Sequence, residues 1–157
     1  MTPERREAIR QAGGLTVMSL ALAAGLLRPR QAHAADWNKA AFEAKDIAST
    51  VKALGGTAAA VESKDITATA PDIAENGAVV PVAVVSKLPK TESIAILVEK
   101  NPNTLTAAFL IPAGTDPNVS TRVKMGESSF VRVVAEAGGK HFSASKEVKI
   151  TIGGCGG

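Results

Sequence analysis

A chain of 157 residues has the length of one domain, and with 45% hydrophobic residues it can bury a core and lies outside the disordered class. Aromatic residues are only 3% and Tyr is absent, which favours a core of β-branched and small aliphatic side chains on a pleated sheet. The formal charge of +3 comes from residues 1–34, where Arg5, Arg6, Arg10, Arg28 and Arg30 outnumber Glu4 and Glu7; beyond them basic and acidic residues balance, and Arg122 and Arg132 are the only arginines, a composition that excludes a nucleic-acid-binding surface.

Residues 1–34 read as a cleaved export signal. The start is charged (Arg5-Arg6-Glu7-Ala8-Ile9-Arg10), an apolar stretch runs from Ala12 to Leu27, and Ala32-His33-Ala34 places small residues around a variable one, as a signal peptidase requires. The apolar stretch carries Gly13, Gly14, Thr16, Ser19 and Gly25 and is shorter than the ~20 residues that span a bilayer, so no membrane anchor is expected. The arginine pair, followed by Ile9 and Arg10, points to twin-arginine export, which carries folded proteins; Glu4 and Ala8 stand where that motif has a hydroxyl residue and Phe. A periplasmic location follows.

Residues 36–54 are expected to form one amphipathic helix. Trp37, Ala41, Ala44, Ile47 or Ala48, Val51 and Leu54 recur at three- and four-residue steps; Asp36 can cap the start and Gly55-Gly56 stops the run. Strands follow over residues 65–152. Ile66–Ala70 closes at Pro71; Val79–Val85 and Ile94–Val98 are continuous apolar runs; Asn101-Pro102-Asn103 turns into Leu105–Ile111. Val119–Met125 alternates, with Val119, Thr121, Val123 and Met125 on one side. Val131–Glu136 and Lys140–Ile152 bracket Gly138-Gly139, a two-residue hairpin signal. Pro81 has no N–H, so its strand should lie at an edge or carry a bulge, and apolar side chains on both of its faces call for a cover, from the helix or from a partner subunit. About seven short strands with regular turns indicate an all-β fold: an immunoglobulin-like antiparallel β-sandwich preceded by one N-terminal helix.

The single cysteine stands in Gly153-Gly154-Cys155-Gly156-Gly157, after the last apolar strand residue. No neighbouring side chain can bury it, and glycine loses much entropy on ordering, so residues 153–157 read as a flexible arm. Three residues beyond Ile152 reach at most ~10 Å, enough to enter a cleft on another protein, and bare glycines fit where bulkier residues cannot. The thiolate is the nucleophile, yet no His or Arg adjoins it and the Gly157 carboxylate opposes its ionisation. His33 leaves with the signal, and His141 reads as a structural or surface residue of a strand. A self-sufficient thiol enzyme needs a base beside its cysteine, so that class is disfavoured. Two readings stay open: a covalent carrier whose thiol is activated by other proteins, or an exported interaction module whose cysteine forms an intermolecular disulfide. No catalytic residue, metal-ligand spacing or cofactor motif is present in the pattern.

The chain resembles the SoxY family, the sulfur carriers of the bacterial thiosulfate-oxidising (Sox) system. The likeness rests on the leader, Ala41-Phe42-Glu43-Ala44-Lys45, Ile73-Ala74-Glu75-Asn76-Gly77-Ala78-Val79-Val80-Pro81-Val82, Asn101-Pro102-Asn103 leading to Phe109-Leu110-Ile111-Pro112, Val119-Ser120-Thr121-Arg122-Val123-Lys124-Met125, and above all the Gly-Gly-Cys-Gly-Gly ending; His141 stands where an aromatic is expected. The resemblance implies a heterodimer with SoxZ and export of the pair. It implies thiosulfate joined oxidatively to Cys155 by the c-type cytochrome complex SoxAX, release of sulfate by SoxB, and in some organisms oxidation of the remaining sulfane sulfur by SoxCD. It implies persulfide and thiosulfonate species on Cys155, a carrier arm of Gly153, Gly154, Gly156 and Gly157, no catalytic residues, and no cofactor besides the sulfur adduct.

Overall fold

Asp46 divides the expected helix in two. The computed structural model describes residues 37–56 and 60–152, and in it Lys39–Glu43 (α1) and Ile47–Ala53 (α2) are separate helices. Ala44 and Asp46 are both extended. The Asp46 carboxylate accepts from the Ser49 N–H at 2.8 Å and from the Ser49 hydroxyl at 2.6 Å, a local bonding pattern that competes with helix continuation and starts a new one. The break frees the Ala44 carbonyl to accept from Thr104 N–H at 3.1 Å, which fastens the helices to the domain. Asp36 lies outside the described residues, and the cap observed at the first helix is Asn38: its side-chain oxygen accepts from Ala41 N–H at 3.0 Å, while its amide donates to the Ala53 carbonyl at 2.7 Å and ties α1 to α2. Trp37 does not share the packed face; it precedes α1, is 70% exposed, and stacks on Phe42 with ring centroids 4.3 Å apart.

The described residues form nine strands, two more than the sequence suggests: Val61–Glu62 (β1), Ile66–Thr69 (β2), Ile73–Asn76 (β3), Val80–Ser86 (β4), Thr91–Val98 (β5), Leu105–Leu110 (β6), Asn118–Val123 (β7), Ser129–Ala137 (β8) and Lys140–Ile152 (β9). The larger sheet runs β1-β9-β8-β5-β6, with β3 also on β9; the smaller runs β2-β4-β7. The fold is the expected all-β, immunoglobulin-like sandwich with helices before it, with one departure from antiparallel pairing: the two unforeseen strands, β1 and β3, both lie parallel to β9.

The core lies between the sheets. Ile94, Ile96, Val131, Val133 and Val148 of the larger sheet meet Val80, Val82, Val84 and Val123 of the smaller, all essentially sealed from solvent. Each such side chain contributes about 1.5–3 kcal/mol on leaving water. β5 is buried on both faces from Ile94 to Val98, because Ala95 and Leu97 on its outer side pack with Leu105 and Val134 against Ala41 and Val51 of the helices. The helices therefore cover the apolar run of β5 and not that of β4, the strand for which a cover was expected. β4 is central in its sheet, yet its ladder with β2 ends at Ala83, so at Pro81 only the β7 flank is paired and a residue without N–H is tolerated. The hairpin between β8 and β9 turns at Gly138 and Gly139, with φ of 58° and 70°, the left-handed conformation that a two-residue turn demands.

Candidate functional site at the end of the last strand

Cys155, Gly153, Gly154, Gly156 and Gly157 lie outside the described residues; what the structure positions is the strand that leads to them. β9 is the longest strand, 13 residues, and is held along its whole length. β8 pairs with it from Lys140 to Val148, β1 with Phe142 and Ser143, and β3 with Lys149 to Ile152. The last stretch thus gains a partner where β8 stops at Ser129, opposite Val148.

On the flank that β8 vacates, Ser128 takes over. Its hydroxyl accepts from Ile150 N–H at 2.8 Å and donates to the Ile150 carbonyl at 3.5 Å. On the β3 flank, Lys149 N–H bonds the Asp72 carbonyl at 2.9 Å and the Thr151 hydroxyl donates to the Glu75 carbonyl at 3.4 Å. The surrounding turns are braced to each other: Met125 N–H to the Gly77 carbonyl at 2.7 Å, Asn101 amide to the Lys124 carbonyl at 2.7 Å, and Gly126 N–H to the Asn101 side-chain oxygen at 3.1 Å. This pole of the sandwich is a hydrogen-bonded collar around the end of β9.

One ion pair crosses the seam of β3 and β9, between Lys146 and Asp72. Lys146 bonds the Asp72 carboxylate and, with its charge and that of Lys149, holds that carboxyl below the usual range against a small opposing effect of burial. Lys100 lies 3.6 Å from Glu127 beside the collar.

His141, one of the two histidines weighed from sequence, is at the far end of β9, opposite Glu136. At ~3.3 Å per residue it stands roughly 35 Å along the strand from Ile152, several times the reach of three residues. It cannot serve Cys155 as a base. Among the described residues no three His, Cys, Asp or Glu side chains gather as a metal site, and no helix is long and apolar enough to cross a membrane. Sequence reasoning overlooked Ser128 and β3: a serine before an apolar strand and a four-residue strand with only Ala74 buried carry no distinctive pattern.

The family model for the sulfur oxidation protein SoxY matches residues 51–155, a stretch that covers the sandwich and ends on Cys155. The chain belongs to the SoxY family. The sulfur carrier protein SoxY from Chlorobium limicola f thiosulfatophilum, of known structure, is 38% identical, with a TM-score of 0.58 over 65% of this chain and 94% of that one. A superoxide reductase (neelaredoxin) from Ignicoccus hospitalis is matched at 16% identity and a TM-score of 0.45, over 54% of this chain and 79% of that one. No curated protein matches. SoxY membership gives the chain a carrier role in sulfur oxidation alongside other Sox proteins, in a family that is in general not catalytic.

Proposed function

We propose that the chain is a periplasmic carrier that holds thiosulfate-derived sulfur covalently on Cys155 and hands it to partner enzymes during oxidation to sulfate. The observation that carries this reading is the end of β9: a strand clamped to its last residues, followed by a cysteine that is the final residue of the SoxY match. A fixed strand gives the thiol a defined origin, and the glycines around it let it enter a narrow site.

The chemistry is an oxidative coupling and then a hydrolysis. The Cys155 thiolate and thiosulfate lose two electrons to a c-type cytochrome acceptor of the SoxAX kind and form Cys–S–S–SO3⁻. Water then attacks the terminal sulfur, releasing sulfate and two protons and leaving the persulfide Cys–S–S⁻, the step assigned to a SoxB-type hydrolase. A SoxCD-type dehydrogenase oxidises the persulfide sulfur further where it is present. The carrier supplies the thiol and its presentation; activation belongs to the enzymes, consistent with the distance of His141 from the strand end. No resident cofactor is needed.

Association with a SoxZ-type subunit is supported by the outer side of β4, where Pro81 and Val85 face outward next to Val79, the residue before the strand, which is 53% exposed. Twin-arginine export of a folded pair accounts for the leader.

Cys155→Ser tests the carrier against the cross-linking module. A carrier loses all thiosulfate-dependent turnover yet still pairs with its partner subunit. A cross-linker loses only its covalent dimer. Replacing Gly154 or Gly156 by Trp should depress turnover of a carrier strongly and leave a disulfide cross-link intact.

A further inference from the structure

We infer that Ser128 is a positioning residue for the carrier: its hydroxyl stands in for the missing strand beside Ile150, so that the reach of Cys155 is counted from Ile152 and not from further back in β9. The inference rests on the carrier reading and extends it to a residue of the fold.

Three observations lead here. The β8–β9 ladder ends at Ser129 and Val148, while β9 continues through Ile152. Over that overhang β3 covers one flank, and the other would expose both backbone polar groups of Ile150. The Ser128 hydroxyl meets both, at 2.8 Å and 3.5 Å. Ser128 is itself held in place, because its loop is tied to the β5–β6 turn through Asn101, with Gly126 N–H and the Lys124 carbonyl as its partners, and through Lys100 N–H, which donates to the Ser129 hydroxyl at 3.1 Å.

A clamp at this point matters to a tethered reactant. When the carrier is docked, the concentration of the thiol in the partner's site depends on tether length and falls roughly as its −3/2 power. Fraying of residues 150–152 from β3, once Ser128 no longer holds Ile150, would at the limit lengthen the tether from three residues to about six and dilute the thiol about threefold. A change confined to the tether lowers kcat and leaves KM for the carrier unchanged.

The full mature chain with its partner subunit serves for the test, carrying Ser128→Ala, Ser128→Thr or an insertion of three glycines after Ile152. Loss of the hydroxyl should speed amide hydrogen exchange at Ile150 about tenfold, the value of one side-chain hydrogen bond, and Ser128→Thr should restore protection. In turnover of the thiosulfate-loaded carrier by the sulfate-releasing hydrolase, Ser128→Ala should lower kcat, at most to the level of the glycine insertion, which should lose about threefold with Ile150 still protected. An Ile150 amide that stays protected in Ser128→Ala, or a kcat unchanged by Ser128→Ala and by the insertion alike, would overturn the inference and leave the carrier reading standing. A raised KM at constant kcat would also overturn it, by making Ser128 a docking residue. Turnover that persists in Cys155→Ser would overturn both.

Discussion

Asp46 and Asp72 show how single side chains hold the periphery of this fold. Hydrogen bonds from the Ser49 hydroxyl, and then from its N–H and that of Ala48, keep the Asp46 carboxyl below its ordinary range; Lys146 does the same for Asp72. Folded-state values lower than unfolded ones mean that each contribution is present above the unfolded value, near pH 4, and is lost as pH falls through the depressed folded values. Stability should therefore be level from pH 7 to about 5 as far as these groups decide it and drop in acid. A urea midpoint series against pH checks this, and a double Asp46→Asn, Asp72→Asn variant should show a shallower acid limb; an identical limb would refute the assignment. Gly56 is a steric counterpart: a Cβ there would lie 2.6 Å from Val51 Cγ1 and 2.9 Å from the Val51 carbonyl oxygen. Gly56→Ala should cost about 1–3 kcal/mol in urea unfolding by pushing α2 off the sheet. At this scale the sequence was most readable where chemistry is local. Gly138-Gly139 announced its turn. Gly56 announced the helix stop but not its close approach to the Val51 side chain and carbonyl, which only the folded turn creates.

Elements were legible in proportion to their burial pattern. The strands that alternate or run apolar, β2 and β4 to β9, fall within a few residues of their expected positions because their periodicity reflects contacts with a core. β3 escaped notice: its ladder is backbone bonding to β9, its side chains are mostly exposed, and nothing in Ile73–Asn76 encodes a parallel partner far along the chain. The single helix expected over residues 36–54 became two because a cap at Asp46 and the bond from Thr104 to Ala44 outweigh continuity of the apolar stripe. That stripe still marked the right contacts, since Ala41 and Val51 do seal the outer face of β5. Ala41 has no exposed surface, so Ala41→Leu should overpack this layer and cost about 1–3 kcal/mol in urea unfolding. The intersheet core is the deeper determinant: Ile96→Ala should cost about 2–5 kcal/mol by the same measurement, and a loss below 1 kcal/mol would mean that the two sheets do not meet at Ile96.

At the scale of the whole molecule, the larger sheet gives its last strand three partners. β9 crosses the larger sheet from the Gly138 turn to the hydrogen-bonded collar, with β1, β3 and β8 along it, and the SoxY match runs past its end to Cys155. The body needs no pocket chemistry of its own if the reacting group is carried to other proteins. The most direct test of that claim is the intact mass of the protein purified from cells grown on thiosulfate, before and after treatment with a thiol reductant. The carrier account predicts added sulfur or sulfonate groups that map to Cys155 and disappear on reduction. An unmodified thiol, or a protein–protein disulfide as the sole adduct, would contradict it.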